Sequence, residues 1–310
     1  MRKVLFATTA LVALGGVSAA SADISVSASS SFNYVTTNGG AEAAEDRDIN
    51  TQVDVSISAA SVLDNGMSVS AFIGLDEASA GQSADGDDAG MTISGDFGSL
   101  ALGGAASATL GAMATDVTAD EGWDLHANYI DPANEHVPHM DMSLSLPSIS
   151  GLGVVVGVVD GNTVGATEAD GNGTGVGLSY STSGSMPITV SYATYSTGAD
   201  ASEVNSVGAK ITAGAATVTV AANETGNYTG TSVGATYTVS DALSIAAYTG
   251  TGEDSSNSNY EAEMTGMGLT YTITPGLSMS ITHNDFTGKG DATAGTQSGS
   301  RTALAVDVSF

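Results

Sequence analysis

Cysteine is absent from the 310 residues, so no disulfide framework holds this chain together. Basic residues are scarce, with six Lys and Arg against 34 Asp and Glu and a formal charge of −28. That balance excludes a phosphate-seeking surface and argues against nucleic acid as a partner. Proline numbers only 5 and aromatics make up 5%. Beyond residue 22 the longest apolar run is Leu152 to Val159, interrupted by Gly153 and Gly157, too short for a transmembrane helix. Charged residues total 13%, low for an acidic protein whose whole surface meets water. Catalytic support is slight too: there is no phosphate-binding Walker motif and no thiol, and His283 is isolated. No enzyme is expected.

What is present begins with MRKVLFATTALVALGGVSAASA. Arg2 and Lys3 precede an apolar stretch to Val17 and small residues ending Ala20-Ser21-Ala22, the pattern of a secretory signal peptide over residues 1–22. Cleavage between Ala22 and Asp23 is expected, with export through the Sec pathway and a mature domain of residues 23–310; an uncleaved anchor helix is the alternative. The leader holds two of the six basic residues and no acidic one, so the mature charge is −30.

Alternation with a period of two then recurs along the chain. Ile24, Val26, Ala28, Phe32 and Tyr34 oppose Ser25, Ser27, Ser29, Ser31 and Asn33, while Ile49, Val53, Val55 and Ile57 oppose Asp48, Asn50, Gln52 and Asp54. Met140, Met142 and Leu144 alternate with Asp141, Ser143 and Ser145, and Leu304, Val306, Val308 and Phe310 with Ala303, Ala305, Asp307 and Ser309. Each strand has an apolar face and a face of small polar residues, unlike a sandwich strand with Lys and Glu outside.

Connections alternate in length. Tight turns are expected at 63–66, 96–99, 147–151, 183–186, 212–215, 240–242 and 274–276. Between them lie longer acidic, Gly- and Asn-rich loops at 36–46, 76–89, 107–139, 160–173, 196–203, 223–230, 250–259 and 287–299. Together these separate sixteen strands, the profile of an antiparallel transmembrane β-barrel in an outer membrane, with short periplasmic turns and long outer loops. An even count sets both termini on the periplasmic side, so the last strand closes the ring on residues 23–35 and leaves no free edge.

The leader, the opening strand DISVSASSSFNY, turns such as VLDNGMSV and FGSLALG, and the closing strand ending at Phe310 resemble Gram-negative general porins, specifically the alphaproteobacterial type represented by the Rhodobacter proteins. The resemblance spans the whole mature chain. It implies a homotrimer in the outer membrane, contact with membrane lipid and lipopolysaccharide, and passive diffusion of ions and small hydrophilic solutes. It also implies a third loop folded inward, and Phe310 as the signal read by the barrel-assembly machinery.

In that reading residues 107–139 form the constriction and carry Asp116, Asp120, Glu121, Asp124, Asp131 and Glu135. Carboxylates at a narrow aqueous neck favour cations, so the channel is expected to prefer them. Arg301 and Lys210 have lumen parity, as do Asp48, Asp54 and Asp141, and Arg47 at the start of the second strand could lean over the mouth. No cofactor is expected; calcium at the third-loop carboxylates is the metal to consider, because Pro138 separates His136 from His139 and no helix presents them together.

Two alternatives share the acidity and the missing cysteine: a secreted or surface acidic β-solenoid adhesin, and a structural outer-membrane protein with a smaller barrel. A solenoid needs a short fixed repeat, and none recurs.

Overall fold

The computed structural model describes residues 23–39, 46–76, 89–111, 140–159, 173–197, 202–254, 261–289 and 296–310. They form sixteen strands: β1 (Asp23–Gly39), β2 (Asp46–Val62), β3 (Ser68–Asp76), β4 (Ala89–Gly95), β5 (Gly98–Gly103), β6 (Met142–Ser145), β7 (Leu152–Val159), β8 (Gly173–Ser181), β9 (Ile188–Thr197), β10 (Ser202–Ala213), β11 (Ala216–Thr225), β12 (Tyr228–Ser240), β13 (Leu243–Asp254), β14 (Glu261–Thr274), β15 (Leu277–Lys289) and β16 (Thr296–Ser309). One helix, α1 (Gly104–Gly111), follows β5. Every strand pairs with its sequence neighbours in antiparallel register, and β16 pairs with β1, closing the ring. A closed antiparallel ring is not a solenoid, and no backbone edge is left for lipid to meet unsatisfied.

The seam runs from Ser29↔Ser309 to Gly39↔Gly299. Near its periplasmic end the Phe310 amide donates to the Ala28 carbonyl at 2.8 Å. All seven expected tight turns are present. Ser150, in the β6–β7 turn, has a φ of 51°, left-handed backbone that costs an ordinary L-residue about 1 kcal/mol. Glycine adopts it freely but adds unfolded-chain entropy that cancels part of the gain. Ser150→Gly is therefore expected to raise stability by about 0.5 kcal/mol, read as a higher urea midpoint in detergent micelles.

The loop side differs from expectation. Residues 223–230 are not a long loop: β11 continues to Thr225 and β12 starts at Tyr228. Gly226, with a φ of 59°, takes the first central position of a two-residue hairpin turn, where only glycine is unstrained. Likewise β13 runs to Asp254 and β15 to Lys289. Beyond the hydrocarbon both faces of a strand are wet, so the apolar period ends while the backbone ladder goes on.

The two faces sort as the alternation implies. Ile24, Val53, Ile57, Ile73, Val190 and Ile281 are among the exposed apolar residues of the outer face. The other face carries cross-strand hydroxyl pairs, with Ser25 and Ser58 at 2.7 Å, Ser94 and Ser99 at 2.9 Å and Ser181 and Thr189 at 3.0 Å, which tie neighbouring strands together.

Candidate functional site

A ring of sixteen strands is too wide for side chains to fill, so what enters the lumen decides its use. Helix α1 is one such element. It is rich in alanine, which favours a helix, and Thr109 Oγ1 bonds back to the Ala105 carbonyl at 2.7 Å. Ala106 is 0% exposed and clusters with Ala101 on β5, Val155 on β7, Ala193 and Tyr195 on β9 and Val204 on β10. From β5 to β10 the wall spans roughly 24 Å, whereas eight helical residues extend about 12 Å. A short helix joins a cluster drawn from so many strands only from the concave side.

Met140, also 0% exposed, belongs to the same cluster. A Cβ on Gly157 would stand 3.0 Å from its sulfur. Gly90 makes room at the other end, where an added Cβ would come within 2.5 Å of Phe72 Cε1 and 2.7 Å of the Ala105 amide nitrogen. Both ends of the third connection are thus packed on the inner wall. Its first eight residues are α1, and the expected carboxylates Asp116, Asp120, Glu121, Asp124, Asp131 and Glu135 lie outside the described residues, as do Ala22 and the rest of the leader.

Registers locate the wall residues. Arg301 pairs with Asn284 and Thr37, and Lys210 with Thr189 and Thr219, all on the lumen set. Arg301 is only 8% exposed, while Lys210 is exposed close to the β10–β11 turn. Asp54 has lumen parity, opposite Ser29; Asp141 stands outside β6, its amide donating to the Val158 carbonyl at 3.1 Å where Met142 already pairs with Val158, so the strand alternation does not carry on to it. Asp48, opposite Val35, falls in the lumen set by register. Arg47 does not: it pairs with Thr36 and shares the parity of Ile49 and Val53, so the expectation that it leans over the mouth is corrected. An odd position in β2 points away from the lumen whatever its charge.

The structure adds residues the sequence reading missed. Tyr248, Met264 and Phe286 are large, buried and on the lumen set. Tyr248 Oη donates to Asn284 Oδ1 at 2.6 Å. Each ring lies where glycine leaves a slot, Tyr248 against Gly266 and Phe286 against Gly299. Together with Tyr195 and Phe72 these aromatics lie on the inner set. A large residue opposite a glycine on the polar parity was the available signal.

Acidic residues also divide between the faces. Glu203, Glu224, Glu253, Glu261, Glu263 and Asp285 are exposed near the loop ends of β10, β11, β13, β14 and β15, with outward parity. Their charge acts on the outer surface and not across the lumen. Asp285 Oδ1 lies 3.6 Å from His283 Nε2, whose Nδ1 is 2.8 Å from Thr302 Oγ1; this pair faces outward too. Among the described residues no group of three or more His, Cys, Asp or Glu is placed to hold a metal ion.

The family model for Gram-negative porins matches residues 7–291. The chain belongs to the Gram-negative porin family. Solved structures agree in fold. The anion-selective porin from Comamonas acidovorans superposes with a TM-score of 0.72 at 13% identity, over 94% of this chain and 100% of that one. A mutant of the Rhodobacter blastica porin gives 0.66 at 17%, over 93% and 100%. OmpT, an outer membrane protein of Vibrio cholerae solved in its trimer form, gives 0.68 at 11%, over 93% and 99%. No curated protein matches the sequence. This porin is thus an outer-membrane channel protein and not an enzyme.

Proposed function

We propose that the porin is a passive diffusion pore for ions and small hydrophilic solutes that prefers cations and works as a homotrimer. The observation that carries this reading is the fastening of both ends of the third connection, at α1 and at Met140, to the inside of a closed barrel. The segment between those anchors lies outside the described residues and holds Asp116, Asp120, Glu121, Asp124, Asp131 and Glu135; in this reading it is the constriction. Fixed carboxylates beside low-dielectric walls concentrate cations and exclude anions. By register the lumen set elsewhere also leans acidic, with Asp46, Asp48, Asp54, Asp76, Asp254 and Asp307 against Lys210 and Arg301. Fold alone leaves selectivity open, since the Comamonas structure is of an anion-selective porin.

In the same reading the leader directs Sec export and is removed before Asp23, and Phe310, 81% exposed beside the seam, is recognised by the assembly machinery. The outer face then meets lipid and lipopolysaccharide. Calcium, if bound, belongs with the third-loop carboxylates.

The test is refolded protein in a planar bilayer under a tenfold KCl gradient. The expected reversal potential has the sign of potassium selectivity and a size of about 20–40 mV, against a limit of roughly 59 mV for a monovalent ion. A potential of the opposite sign would falsify the cation preference, and absence of step conductances would remove the channel reading.

A further inference from the structure

Resting on the channel reading, a further site is visible in the lumen wall. Where β2, β1 and β16 meet the β14–β15 turn, a recess of about 780 Å³ lies against the inner face, within the range of roughly 300–1,000 Å³ typical of small-molecule sites. Small residues make it: Ser29, Ser31 and Ala303 sit low between longer side chains. Helix α1 touches β4 to β8, so the recess lies on wall that the helix leaves clear.

Its polar groups are ordered by register. Asn33 faces Asn50, Ser31 faces Gln52 and Ser29 faces Asp54. That sets two amides and a carboxylate on alternate residues of β2, about 6.6 Å apart, beside the Asn33 amide on β1. Gln52 Nε2 donates to Asp54 Oδ1 at 3.0 Å and Ser29 Oγ to Oδ2 at 3.4 Å, so both oxygens of this carboxylate are held in place and already accept one donor. Asn33 Oδ1 is enclosed without a hydrogen-bond partner. Arg301 and Asp307 lie six residues apart on β16, roughly 20 Å along the strand, too far to clamp one small ion between them.

Such a wall offers donors and acceptors of both kinds at close spacing, with the Asp54 and Asp307 carboxylates as further acceptors on either side of the Ser29 and Ser31 row. A hydroxyl group, donor and acceptor at once, is the ligand chemistry that can use all of them. We propose that this recess is a weak subsite for an uncharged, hydroxyl-rich solute of the sugar or polyol class, which pauses there during passage. No aromatic ring lines it, so stacking adds nothing and the affinity stays low, as passage requires: strong enough to enter, weak enough to leave.

The experiment uses the refolded full chain in planar bilayers with maltotetraose as probe and a polyethylene glycol of similar radius as control. Maltotetraose is expected to reduce conductance with saturation, the half-effect falling at about 1–50 mM, while the glycol reduces it without saturating. The double variant Asn50→Ala, Gln52→Ala, compared with its own sugar-free conductance, should need about tenfold more sugar for half-effect, equivalent to about 1.4 kcal/mol. Thr236→Ala, on the lumen set of β12 away from the recess, should leave the half-effect where it is. A conducting protein in which sugar and glycol act alike, or in which the double variant responds like the parent, overturns the subsite alone. A protein that does not conduct overturns the channel reading beneath it.

Discussion

Replacing Gly266 by valine is expected to cost this porin on the order of 2–5 kcal/mol and to lower its conductance. Gly266 lies in the lumen row between Tyr248 and Asn284. A Cβ there would overlap the Tyr248 ring and the Asn284 Oδ1 atom to which the ring donates. Two effects add. Overpacking of a tight site costs about 1–3 kcal/mol, and separating the buried hydroxyl from its acceptor costs a further 1–3 kcal/mol or so. The displaced ring has one direction in which to move, away from the wall and into the solute path. Urea midpoints in micelles and single-channel currents measure the two consequences. In a Tyr248→Ala background the same substitution should cost less than half as much, because the clash partner is gone. An equal cost in both backgrounds would show that the slot is not what matters.

The second large effect is electrostatic. Converting Asp116, Asp120, Glu121, Asp124, Asp131 and Glu135 to their amides removes six charges at nearly constant volume. The reversal potential in a tenfold KCl gradient should then fall by about half and keep its sign, because Asp46, Asp48, Asp54, Asp76, Asp254 and Asp307 still outnumber Lys210 and Arg301 on the lumen set. Charges on the outer face, such as Glu253 and Glu263, stand on the opposite side of the sheet from the pore, and salt screens them over about 10 Å at 0.1 M. A variant that keeps the parental potential would mean that other residues, and not these carboxylates, set selectivity.

Much of the architecture could be read from the chain. Within the hydrocarbon span one face must be apolar, and residues such as Val53, Ile57 and Ile281 mark it against Gln52, Asp54 and Thr282. Turn glycines mark the tight connections, and every periplasmic turn was legible. Above the span that contrast vanishes, so the hairpin at Gly226 and the extended ends of β13 and β15 were hidden. The same loss of contrast made Arg47 ambiguous, until its pairing with Thr36 set it on the outer face.

The sequence by itself determined the ring: a two-residue period and connections of alternating length leave a membrane barrel as the arrangement that satisfies every backbone group. Tertiary structure alone decided what the ring encloses. Alternation separates two faces without saying which polar residues meet across the lumen, and it puts Tyr248 and Phe286 on the inner set without showing that the glycines opposite make room for them. The clustering of Ala106 and Met140 with Val155 and Val204 joins residues far apart in the chain, and such contacts exist only once closure has curved the sheet and given it an inside.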